Sequence, residues 1–259
     1  MAVIVYSPED KVSTGTAEAM KGMGFEEASP LLGMKRFSHN GIDLLELKGH
    51  HLSAEYLDEL SADSIIILSR HSSAENMPAF TVHAEGNWNS DAKLGGQPKQ
   101  LSTAAPVQMI NILSRMRVHS DIPVTYEATH HGPLLKTPSL YAEIGGSEEA
   151  KASPAHWETL ARCVLESFDK EASYDKVAFG IGAMHYADRF TRRALEGKFA
   201  FAHIMPKYRA DCVDMIGQAI ERSNPRPEIA VMDWSALKSV ERTTILKRLE
   251  EFGLDYVKI

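Results

Sequence analysis

The chain has two cysteines in 259 residues, Cys163 and Cys212, and no CxxC spacing. Two thiols so far apart supply neither a disulfide framework nor a thiolate zinc site, and they suit a reducing cytoplasm. Long apolar runs are also missing, so no stretch matches the roughly 20 residues of a membrane span. The opening MAVIVYSPED lacks a basic region and a small-residue cleavage site, and it reads as a first strand rather than a signal peptide. Positive charge is in short supply. Lysine and arginine number 28 against 35 carboxylates, a net charge of −7, which argues against a general nucleic-acid binder but leaves room for a local basic face. Internal repeats and low-complexity segments are absent. What remains, 44% hydrophobic and 24% charged, is an ordinary globular composition long enough to bury a full core.

Strand-like and helix-like stretches alternate. Strands are expected at 2–6, 64–68, 80–85, 123–128, 140–144, 176–180, 199–204, 228–232 and 254–259. The β-branched run SIIIL at 64–68 is the clearest of them, too apolar for an exposed edge. Ser7 and Pro8 are placed to start a first helix. Further helices are expected over 104–118, with Val107, Ile110, Leu113 and Met116 on one side, and from Ser153 to Phe168, with Leu160, Val164, Leu165 and Phe168 inward. A last helix begins near Ser235. Residues 86–106, rich in Gly, Asn, Ser and Pro, form a loop of the length that is functional or mobile. The alternation predicts an α/β architecture, a mostly parallel or mixed sheet with helices on both faces. Residues 1–259 are read as one domain, with a small α+β subdomain around 20–62.

Polar residues recur where the strands run out. Arg70 and His71 follow the first buried run, and His83 and Glu85 end the next. TYEATHHGPLL places Glu127, Thr129, His130 and His131 before a Gly-Pro turn, YAEIGGSEE carries Glu143, and later segments bring His185 and His203. Any one of these alone is an ordinary half-buried side chain. Trp88 alone is a packing anchor, and Arg192-Arg193 alone is a solvated helix face. Several segments converging on one edge, however, is how a hydrolase assembles a site from distant sequence. His130 and His131 would point to opposite faces of a regular strand, so they serve one site only if the turn re-aims one of them, which Gly132 permits.

LSRHSS at 68–73, FTVHAEGNW at 80–88, EATHHGPLL at 127–135, YAEIGGSEE at 141–149, GIGAMHYADRFT at 180–191 and HIMPKY at 203–208 resemble the motif series of the archaeal and plant type D-aminoacyl-tRNA deacylases. Order and spacing match over most of the chain. The resemblance implies hydrolysis of the ester between a D-amino acid and the tRNA 3′ end, zinc dependence and a monomeric cytoplasmic enzyme that binds neither DNA nor membrane. It also implies a core shaped like phosphorylases and peptidyl-tRNA hydrolases, with an additional small α+β piece. Three departures stand out: Ala183 and Met184 interrupt a glycine run usual before His185, Ala202 replaces a usual glycine before His203, and Asp188 stands where proline is common.

The residue types suit that chemistry. Zinc held by imidazoles and a carboxylate supplies hydroxide at neutral pH. The expected metal ligands are His71, His83, His185 and His203, and the expected catalytic groups are Glu127, His130, His131 and Glu143. A general-base pair of His and Glu without metal is the nearest variant. Covalent catalysis is disfavoured, because no GxSxG elbow is present and neither cysteine lies in a histidine motif. Substrate contacts are expected from Arg70, Trp88, Thr129, Tyr186, Arg189, Arg192, Arg193 and Lys207. Between 184 and 209, six cations face only Asp188 and Glu196, a local positive excess suited to phosphate. Two rival readings use the same residues: a zinc exopeptidase-like hydrolase of small peptides or N-acyl amino acids, and a metal-stabilised RNA-binding module without turnover.

Overall fold

The run SIIILSR is a strand because neither of its faces meets water: Ile65, Ile66, Ile67 and Leu68 are all fully buried. The computed structural model describes residues 2–72 and 76–259. Ser73, the last residue of LSRHSS, lies outside them. In chain order the elements begin with β1 (Ala2–Tyr6), α1 (Lys11–Gly22), β2 (Glu26–Leu31), β3 (Met34–His39) and β4 (Ile42–Glu46). Two 3-10 turns, His51–Ser53 and Glu55–Leu60, lead into β5 (Ser64–Arg70) and β6 (Ala79–His83). Then come β7 (Gly86–Asn87), β8 (Gln100–Leu101), α2 (Pro106–His119), β9 (Val124–Tyr126), β10 (Ser139–Gly145), α3 (Glu148–Lys151) and α4 (Pro154–Asp169). The chain closes with β11 (Lys176–Ala183), α5 (Asp188–Leu195), β12 (Phe199–Pro206), α6 (Ile216–Glu221), β13 (Ile229–Met232), α7 (Ser239–Glu251) and β14 (Tyr256–Lys258).

Eight strands make a mixed sheet in the order β2-β3-β4-β1-β5-β10-β6-β9, and four make a parallel sheet in the order β12-β11-β13-β14. Residues 20–62 contribute β2, β3 and β4 to the large sheet, with β4 parallel to β1. α1, α2 and α4 cover one face of that sheet, where Ile4, Ile66 and Leu140 meet Val12, Met109 and Val164. The other face, with Val5, Ile67 and Tyr141, is covered by Leu57 and Leu60 of the second 3-10 turn and by Leu135. The parallel sheet has α6 and α7 on one face, while its other face joins the core of the large sheet through Ala178, Phe201 and Phe190. No helix among the described residues is long and apolar enough to cross a membrane.

Local chemistry moves two expected boundaries. The first helix starts at Lys11, because Asp10 rather than Ser7 accepts the Ser13 amide, at 2.9 Å. Ser7 is occupied elsewhere, donating to the Gly49 carbonyl at 3.0 Å. The last helix starts at Ser239, because Ser235 and Ala236 turn about the Asp233 carboxylate instead of propagating. Ser153 and Pro154 do open α4 as expected, with the Ser153 hydroxyl accepting the His156 amide.

Candidate active site

The cluster lies on a sheet face, which differs from the single strand edge expected. β5 and β10 run parallel, but β6 is antiparallel to β10 and parallel to β9. The carboxyl ends of these strands therefore point to opposite ends of the sheet, and their side chains meet over β10. Tyr141 and Glu143, two residues apart, share one face of β10. His83 is registered opposite Tyr141, and its ring stacks on the phenol at 4.9 Å with a 4° interplanar angle. His71, just past β5, is tied to β10 by its amide, which donates to the Ile144 carbonyl at 3.0 Å. The segment after β9 is clamped by the parallel sheet: Ala128 donates to the His185 carbonyl and Thr129 to the Ile204 carbonyl, both at 2.9 Å.

His71, His83, Glu127, His130, His131, Glu143 and His185 converge there. Glu127 lies 3.1 Å from His71 Nδ1 through one oxygen and 3.2 Å from His185 Nε2 through the other. Glu143 Oε2 is 3.6 Å from both His71 Nδ1 and His83 Nε2. His83, His130 and His131 pack ring to ring, with centroids 4.3 to 4.9 Å apart. Each of these three has its Nδ1 on a carbonyl oxygen, of Ala84, Ala128 and Gly132 at 3.1, 2.9 and 2.7 Å. A carbonyl only accepts, so Nδ1 carries the proton and Nε2 presents a lone pair. His131 reaches this position because its own backbone is left-handed, with φ +43°. Gly132 serves closeness instead: a Cβ there would sit 2.2 Å from the Gly96 nitrogen.

Burial and the carboxylate–histidine contacts set the electrostatics of the cluster together. Burial would raise Glu127 and Glu143, yet their histidine neighbours hold both carboxyls below the usual range. Burial would lower His71, but Glu127 and Glu143 push it up to about 10. Burial holds His131 down to about 4. Even so, His71 Nε2, His83 Nε2, both Glu127 oxygens and Glu143 Oε2 are buried with no hydrogen-bond partner. Ligand atoms of His83, His130 and His131, of His71, Glu127 and His185, and of His83, Glu127 and Glu143 lie within 4.8 Å of one another in each set. Buried imidazole nitrogens and carboxylate oxygens without partners fit a divalent metal, which would satisfy them together.

The other expected site residues divide between the surroundings of the cluster and positions away from it. His203 is not in the cluster. It is fully buried with both nitrogens engaged: Nε2 donates toward the Ser102 and Arg222 carbonyls, and Nδ1 faces the Thr129 hydroxyl at 3.2 Å. Trp88 lines the cavity beside His130 and His131 but is largely buried against Phe179 and His203, and its indole donates to the Thr129 carbonyl. Thr129 itself accepts the Ile204 amide. Arg189 is held by Asp233 and Ser235, and Arg193 by Glu196. Arg192 and Lys207 are exposed, Arg70 lies with Nε 3.8 Å from Asp10, and Tyr186 packs against His71 and His185.

The sequence reading missed the support behind the cluster. The Gly132 carbonyl that holds His131 also accepts the Tyr141 hydroxyl at 3.1 Å. That phenol oxygen in turn accepts His51 Nδ1–H at 2.9 Å, and the Ser69 hydroxyl faces His51 Nε2 at 3.2 Å. Tyr141 could have been found, since a residue two before Glu143 on a strand shares its face. His51 comes from a 3-10 turn with no periodic signal.

The fold and site define an α/β protein with a buried histidine–carboxylate centre. Comparison with known proteins then places it. The model of the D-aminoacyl-tRNA deacylase family matches residues 58–257. Relatives named D-aminoacyl-tRNA deacylase include one from Ignicoccus hospitalis, 38% identical over 99% of this chain and 98% of that protein. Another, from Pyrococcus horikoshii, is 34% identical over the full length of both. The crystal structure of a conserved protein of unknown function superposes with a TM-score of 0.89 at 28% identity, covering 100% of this chain and 95% of that one. The chain belongs to the D-aminoacyl-tRNA deacylase family.

Proposed function

We propose that the chain hydrolyses the ester between a D-amino acid and the 3′ end of tRNA, with a zinc ion held in the histidine–carboxylate cluster. The observation that carries this is the set of three imidazoles, His83, His130 and His131, each fixed by a carbonyl so that Nε2 faces its neighbours. His71, Glu127 and His185 form a second donor set beside them, and Glu143 lies between the two. When bound, zinc lowers the pKa of a coordinated water to about 7 and polarises a carbonyl oxygen. The carbonyls of Ala84, Ala128 and Gly132 keep the three rings in the ligating tautomer. A carboxylate oxygen of Glu127 or Glu143 not taken by the ion accepts the proton of water as its oxygen adds to the acyl carbon. The same group returns that proton to the ribose oxygen as the ester bond breaks.

Deacylation of D- and L-aminoacyl-tRNA, with and without a strong chelator, tests this. Turnover of the D-form should vanish on chelation and return with zinc. Full turnover by protein shown to be metal-free would overturn the metal mechanism, and peptide turnover without tRNA turnover would overturn the substrate.

A further inference from the structure

A cavity of about 370 Å³ opens beside the cluster, and His130 and His131 form part of its wall. Apart from Thr129, the rest of the lining comes from two short segments, residues 86–94 and 206–209. Each brings one large apolar side chain that is left in water, Leu94 at 59% exposure and Tyr208 at 51%. Each also brings one cation, Lys93 and Arg209, and neither pairs with a carboxylate among the described residues. That sets them apart from Arg189 and Arg193, whose guanidinium groups are taken. The Arg209 guanidinium lies 5.6 Å from the Tyr208 ring centre, so the turn offers a flat π-surface with a charge alongside. The one carboxylate in the lining, Asp91, accepts the Lys93 amide at 3.3 Å and so turns the loop.

These walls are set before any ligand arrives. The Gly132 amide donates to the Leu94 carbonyl at 2.9 Å, and the Lys99 amide to Asn89 at 2.8 Å. Gly95 is so close to the Leu52 carbonyl that a Cβ would approach it to 2.0 Å. Apolar faces paired with unpaired cations are what single-stranded nucleic acid requires, stacking for the base and charge for the phosphate.

We propose that this cavity holds the terminal adenosine of the acyl-tRNA, with its base on Tyr208 and Leu94 and its 5′-phosphate on Arg209 and Lys93. This rests on the deacylase reading, and it assigns the side of the ester each wall receives. The acyl group carries an ammonium, which two unpaired cations would repel, whereas the nucleotide carries the phosphate they would attract. With the nucleotide in this cavity, the ester lies against His130 and His131, where it must be for hydrolysis.

The test is binding of 5′-AMP and of D-alaninamide to the zinc-loaded protein by calorimetry, alongside turnover of D-aminoacyl-tRNA. 5′-AMP should bind and compete with the tRNA, and D-alaninamide should not displace it. Tyr208→Ala should weaken 5′-AMP about tenfold, as expected for one lost stacking surface. It should raise KM for the tRNA by a similar factor and change kcat far less, and Tyr208→Phe should restore both. An unchanged 5′-AMP affinity in Tyr208→Ala, or displacement of 5′-AMP by D-alaninamide, would overturn the assignment. Binding needs no turnover, so the two readings fail separately. Turnover without 5′-AMP binding removes the subsite and keeps the reaction, and 5′-AMP binding without turnover does the reverse.

Discussion

His131 occupies a left-handed backbone conformation that costs a residue with a Cβ on the order of 1 kcal/mol, and the cost is tolerated where it aims an imidazole. His131→Gly removes the ring and relieves the strain together. We expect kcat to fall at least about a hundredfold, the lower end for a lost acid–base or ligand group, while the urea midpoint does not fall. A parallel loss of stability would make His131 a structural residue. Tyr141→Phe is a subtler change: it takes one donor from the Gly132 carbonyl and leaves His51 Nδ1–H without its acceptor. Zinc retention against a competing chelator should weaken about tenfold, as for lost support of a ligating histidine. Parental retention and parental kcat together would remove Tyr141 from the site. At this scale the sequence was readable where side chains cluster in motifs, as in Glu127, His130 and His131. It misled where a histidine was buried for packing, as in His203, because a ligand and a hydrogen-bonded core imidazole look the same in one dimension.

Among the elements, β5 and α4 were legible because one is buried on both faces and the other carries its own cap. The direction of β6 and β9 relative to β10 was not, since strand direction follows from which connections the whole chain makes. Hence the polar strand ends predict one edge, whereas in the fold they cross a face. The long segment 86–106 read as a loop because its pairing is short, only Gly86–Asn87 against Gln100–Leu101. It is fastened to the histidine turn where Gly96 abuts Gly132. Gly132→Ala would set a methyl group 2.2 Å from a backbone nitrogen that cannot swing aside. Overpacking of this kind costs about 1–3 kcal/mol. Chemical denaturation should register that loss, and turnover should drop with it because the turn carries both imidazoles. An alanine variant with parental stability would show that the two loops part readily.

Over the whole molecule, the two sheets share one continuous core, and His203 on β12 stands where they meet, bonded to carbonyls of the 102 and 222 segments. Burial brings its pKa from 6.5 down to about 4. The unfolded chain therefore binds a proton that the folded chain refuses, and stability drains away as pH falls from about 6.5 to about 4. The slope for one proton is about 1.4 kcal/mol per pH unit. In His203→Gln the unfolding free energy should lose about one proton of slope across that window. An identical slope would mean the imidazole is not the buried base described. β1 lies between β4 and β5, and Asp10 just beyond it both caps α1 and accepts the Arg70 amide next to His71. Every histidine and carboxylate of the cluster falls within residues 58–257, but this strand and this carboxylate do not. The matched family segment and the folding unit thus have different borders on this chain. A gene fragment begun at the family boundary would encode all the chemistry, yet it would leave β5 as a bare, sticky edge ready to pair with its own copies.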